Sequence, residues 1–195
     1  MWSHILLLLI SLFCCIAVYR RLSRDSHPEY LSYSILLLTA ATLGMIIVYA
    51  ELLSRTIEIL MLSVVVLSLV LLLLTIRLIQ PQYARQPGIY TYFPLLIIPF
   101  YAFFVDTAIL QFITNVTVQA TALLVYSGLV ATYWKGVEKG YLLFLSIACY
   151  GAAFGIYWFA DLDSHVLLSA THLLTGAGMI ITSFKFPSII LQHKR

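Results

Sequence analysis

Charge is what this chain has least of: 11 Lys and Arg and 8 Asp and Glu in 195 residues, 10% in all, against about 25% in an ordinary soluble domain. With 62% of the residues hydrophobic, a water-soluble fold of this length has nowhere to hide its apolar surface. The basic residues are scattered and the net charge is only +3, which excludes the basic stripe of a nucleic-acid-binding protein. Cysteine is scarce too. Cys14, Cys15 and Cys149 all lie inside apolar runs, where a thiol acts as a small hydrophobe, so no disulfide is expected. No Gly-rich phosphate loop, nucleophile motif or pair of His four apart around a Glu is present, and the strong signatures of enzymes and metal sites are therefore missing. The stretch Trp2 to Val18 has no positive charge ahead of it and no small-residue cleavage site, and bulky Phe13 precedes Cys14. It reads as a retained first helix, not as a secretory or lipoprotein signal.

What the chain does have is apolar runs. Ile59 to Ile76 is unbroken by charge, whereas a barrel strand would alternate polar and apolar residues over about ten positions. Lipid offers no partner to an open backbone N–H or C=O, so helices are the structure such runs take. A hydrocarbon core of about 30 Å needs roughly 20 helical residues. Runs bounded by charge, Pro or Gly predict about seven spans, at 2–18, 30–50, 58–77, 89–113, 116–134, 141–160 and 165–184. The fold class predicted is all-α: a single transmembrane domain over residues 1–195, with the lipid bilayer as its medium. Pro94 and Pro99 should bend the fourth helix. Thr114 and Asn115 should form a tight hairpin before the fifth.

Basic residues mark the cytoplasmic side. Arg20, Arg21 and Arg24 follow the first run, Arg77 and Arg85 the third, and Lys135 and Lys139 the fifth, while Lys185, Lys194 and Arg195 follow the seventh. Only Arg55 is left for the other side. That split predicts an outside N-terminus and a cytoplasmic C-terminus, hence an odd number of crossings, and a multi-pass location in the cell membrane. Tyr19, Tyr30, Tyr90, Tyr92, Trp134 and Tyr141 fall near the inner face, where amphipathic rings favour the headgroup level. Gly151 and Gly155 form a GxxxG spacing that lets another helix approach closely, with Gly176 and Gly178 of the seventh span as the matching surface or, in the alternative, a dimer contact; a homo-oligomer or a membrane protein partner is the expected assembly.

Ionisable groups in hydrocarbon cost roughly 2.5 to 3.5 kcal/mol at a helix centre, so each is a candidate site. Asp106 is expected inside the fourth span and His172 at a similar depth in the seventh. Glu51, Glu58, Asp161, Asp163 and His165 are expected at the outer mouth, with His4 at the start of the first span. His165 and His172 are seven residues apart, two helical turns, and share a face. Carboxylate and imidazole together suit a cation or a relayed proton. The competing expectation is structural: Asp163 or Ser164 caps the last helix, and Asp106 pairs with His172, Gln111, Asn115 or Gln119.

The segment Thr171-His172-Leu173-Leu174-Thr175-Gly176-Ala177-Gly178 resembles the last helix of the alkaline ceramidase type of seven-helix, zinc-dependent membrane hydrolases. The resemblance covers about eight residues and implies His172 as a zinc ligand. That family has a second histidine four residues earlier, where this chain has Leu168, and further ligands on earlier helices, where this chain has no His between His27 and His165. Three functions are thus expected in descending order: a non-enzymatic sensor, binding or partner module; an ion or proton channel or transporter using Asp106 and His172; and a zinc hydrolase. The sequence names no cofactor.

Overall fold

A computed structural model of the chain describes residues 2–23, 59, 62–63, 66–67, 70, 92–160 and 165–192. Every regular element among them is helical. Helix α1 is Trp2–Ser23; a 3-10 turn at Phe93–Leu96 leads into α2, Ile97–Phe104; α3 is Ala108–Tyr133, closed by a 3-10 turn at Trp134–Gly136; α4 is Tyr141–Phe159 and α5 is His165–Gln192. The described residues therefore hold five α-helices, and the expectation of seven is not supported. The span expected at 30–50 lies outside the described residues. Of the span expected at 58–77, Ile59, Leu62, Ser63, Val66, Leu67 and Val70 are described, all helical. Leu62 and Val66 are buried with Tyr101, Val105 and Val118.

Among the described residues, three stretches are long and apolar enough to cross a membrane: Ala108–Gly136, Tyr141–Phe159 and Val166–Ser188. At 1.5 Å per residue, the 26 residues of α3 reach about 39 Å and the 28 of α5 about 42 Å, each more than the hydrocarbon thickness.

The fourth and fifth expected spans are divided elsewhere than the sequence suggested. The chain breaks at Val105 to Thr107, and Thr114 and Asn115, the expected hairpin, lie inside α3. Two local causes account for it. Thr107 adopts an extended conformation and its side chain accepts from the Leu110 N–H at 3.4 Å, an N-cap that starts a new helix there. Thr and Asn in a helix interior cost only about 0.5 kcal/mol each relative to better formers, less than breaking a helix in lipid. The prolines do not bend a long helix either. Pro94 falls in the first turn of the 3-10 segment and Pro99 is the third residue of α2, positions where a missing N–H removes little.

Helix α5 lies between two partners. Along α1 the contacts advance together: Ser3 with His172, Leu7 and Ile10 with Gly176, Ser11 with Met179, Arg21 with Phe184 and Ser188. The two helices therefore run parallel. Along α4 they run in opposite order, Tyr150 meeting Thr182 while Glu138, ahead of α4, meets Lys185. Helices α3 and α4 are antiparallel as well, with Gln119 against Trp158 and Tyr126 against Ser146.

Candidate functional site in the helix seams

The α3, α4 and α5 seam carries a hydroxyl cluster. The Tyr126 hydroxyl lies 2.7 Å from the Ser146 Oγ and 3.0 Å from the Thr182 Oγ1, and the Tyr150 hydroxyl lies 3.3 Å from that same Thr182 oxygen. Ser146 donates to the Leu143 carbonyl and Thr182 to the Gly178 carbonyl. The two tyrosine rings meet edge to face at 5.9 Å, a favoured aromatic geometry. Space for this comes from Gly178: a Cβ there would stand 2.9 to 3.1 Å from three atoms of the Tyr150 ring. Buried polar groups of this kind hold helices together where lipid supplies no hydrophobic drive for association.

On its other side α5 meets α1 along a polar ladder of separate pairs. His172, 8% exposed, has its Nδ1 3.1 Å from the Ser3 Oγ. Further along, the buried Ser11 hydroxyl points at the Met179 sulfur, and the Cys14 thiol reaches Ser183. A Cβ at Gly176 would press on the end of Ile10. At the end of the ladder, Arg21 donates to the Phe184 carbonyl at 2.6 Å and to the Ser188 hydroxyl at 2.8 Å. Buried Pro187 lies between them and has no N–H for the carbonyl four residues back. The guanidinium thus braces the turn that the proline loosens, and α5 continues past the expected end at residue 184 to Gln192.

The residues singled out from sequence are distributed as follows. Asp106 sits in the break between α2 and α3, exposed, and not within a helix as expected. His172 is engaged with α1. Gln119, an expected partner of Asp106, accepts from the Trp158 indole at 2.8 Å. His165 begins α5 with its side chain outside the described residues; Glu51, Asp161 and Asp163 lie outside them altogether, as does the side chain of His4. Among the described residues no three His, Cys, Asp or Glu side chains gather as a metal site would require. Of the four glycines, Gly151 would make an ordinary contact with Leu123 of α3 and Gly155 meets nothing within 4 Å, while Gly176 faces α1 and Gly178 faces α4.

Sequence reasoning passed over the hydroxyl cluster. Its signal was there to read: Tyr150 is the middle residue of α4, far from the headgroup level that tyrosine favours, and a mid-span tyrosine needs a partner for its hydroxyl. Other hydroxyls bond carbonyls four residues back, among them Ser63, Thr121, Ser127, Thr132, Thr171 and Ser183, the usual way a helix absorbs Ser and Thr.

No family model matches the chain, nor does a curated protein or a solved structure.

Proposed function

We propose that the chain is a multi-pass protein of the cell membrane, with its N-terminus outside and its C-terminus cytoplasmic, acting as a non-enzymatic sensor, binding or partner module. The observation that carries this reading is the use of the seam polar groups. His172, Tyr126, Ser146, Tyr150, Thr182 and Gln119 bond across helices, as groups that join helices do. The parallel run of α1 and α5 supports the orientation. Two parallel helices in one bilayer require an odd number of crossings when both are counted, and this packing sets Arg21 beside Phe184 and Lys185 beside Glu138 at one end, as the distribution of basic residues demands.

Tags at the two ends test the orientation in intact cells. An N-terminal tag should be labelled from outside and a C-terminal tag only after permeabilisation; both ends in one compartment would exclude the proposal. Purification in mild detergent, with partner proteins and self-association scored, tests the module reading.

The break at Val105 to Thr107 favours a second reading, since interrupted helices line ion paths in transporters. Asp106 and His172 would then carry an ion or proton. Ion flux in proteoliposomes that disappears in Asp106→Asn would establish transport in place of the first reading. Stoichiometric zinc lost in His172→Ala would instead favour hydrolase chemistry.

A further inference from the structure

The turn between α3 and α4 is built more tightly than a simple connection needs. Val137 is buried in the cluster of Tyr126, Leu129, Val130 and Leu143, and the Val137 and Gly140 amides donate to the Trp134 and Val137 carbonyls. Any Cβ at Gly140 would run into the Trp134 carbonyl. Between them stands Lys139 with φ of 54°, the one non-glycine residue in the left-handed region among those described. Glycine or asparagine takes that conformation at less cost, so a lysine held there is a strained cation on a rigid mount. The same end of the molecule gathers other cations. Lys135 shares the turn, the Lys185 ammonium donates to the Glu138 carbonyl at 2.9 Å, and Arg20 and Arg21 close α1 beside Phe184. Glu138 is the one carboxylate among the described residues at this end. Exposed Tyr141 and half-buried Trp134, stacked edge-on against Phe144 at 5.5 Å, flank the lysines with rings suited to the headgroup level.

We propose that this basic end binds the headgroup phosphate of an anionic phospholipid in the inner leaflet, with Lys135, Lys139 and Lys185 as its direct contacts. The inference rests on the membrane reading above. A lipid fits better than a free anion, because exposed lysines hold a small ion poorly against salt, whereas a membrane surface presents phosphates at high density beside the two aromatic rings.

The test uses the full chain in neutral detergent, titrated with phosphatidylglycerol, phosphatidylcholine or inorganic phosphate and read by native mass spectrometry, with thermal unfolding in parallel. The unaltered chain should retain phosphatidylglycerol over phosphatidylcholine by about tenfold or more. Each lysine removed should cost about fivefold: Lys139→Gly alone that much, and Lys135→Gln, Lys139→Gly and Lys185→Gln together about a hundredfold. Lys139→Gly should at the same time unfold at no lower a temperature, because glycine relieves the left-handed strain, and Lys139→Arg should bind as before. A merely structural lysine would move both readouts together. Equal retention of the two lipids, undiminished binding in the triple variant, or displacement by millimolar inorganic phosphate overturns the proposal. A chain that stays monodisperse without detergent would instead overturn the membrane reading on its own, before any lipid is added.

Discussion

The two sides of α5 solve one problem by different means. Toward α4, a glycine makes room for an aromatic ring and a three-helix hydroxyl cluster fills the seam. Toward α1, a glycine two residues earlier admits the tip of an isoleucine, and single polar pairs follow one another along a parallel helix. Two residues are about 200° around a helix, so Gly176 and Gly178 necessarily serve opposite neighbours. What differs is how much each seam can yield. A tyrosine ring locked by its hydroxyl and its edge-on neighbour has little freedom to move, whereas the end of Ile10 can turn aside.

The sharpest way to break that contrast is Gly178→Leu. Driving a side chain into the Tyr150 ring should cost about 3 kcal/mol, at the upper end of overpacking effects, seen as a large fall in the thermal unfolding midpoint in detergent; Gly176→Ala should be close to neutral, its small clash offset by the gain in helix propensity of about 1 kcal/mol. Equal losses at the two sites would make the seams equivalent after all. Next comes Thr182→Val, which takes a partner from both tyrosine hydroxyls and should cost about 1 to 2 kcal/mol. A cycle with Tyr126→Phe should show coupling of about 0.5 to 1 kcal/mol, within the range of hydrogen bonds between membrane helices. Arg21→Ala tests the end of the α1 seam. Losing the bonds to Phe184 and Ser188 should lower stability by about 1 kcal/mol, discounted from a buried ionic bond because the group is exposed. The smallest effect is reserved for Gly155→Leu, which meets open space among the described residues and should change stability by less than about 0.5 kcal/mol. If that variant unfolds as readily as Gly178→Leu, Gly155 lies in a seam of its own.

The all-helical class and the long apolar helices were legible because unbroken apolar runs favour helices over alternating strands. The limits of α4, expected at 141–160 and found at Tyr141–Phe159, follow from charge and glycine on one side and acidic residues in the sequence on the other. The start of α3 was not legible, since its cap is a lone Thr107 within apolar sequence and two prolines nearby drew attention to bending. Glycine spacing showed that helices could approach closely. It could not show which glycine meets which helix, because facing depends on how non-adjacent helices are arranged. The same holds for His172: its place in the last helix was readable, but its neighbour Ser3 lies 169 residues away in sequence. Asp106 was expected inside a helix and lies in a break between two, because a broken helix and a continuous one present the same run of apolar letters.

The pairing of α1 with α5 also constrains how the molecule is made. Every bond in that seam joins residues separated by more than 160 positions, and contacts this distant form late because the intervening chain must be arranged first. Helix α1 therefore waits without α5 while the rest of the polypeptide is synthesised. Assembly closes like a ring, on the arrival of α5, and the seam whose partners lie farthest apart along the chain is the last to be sealed.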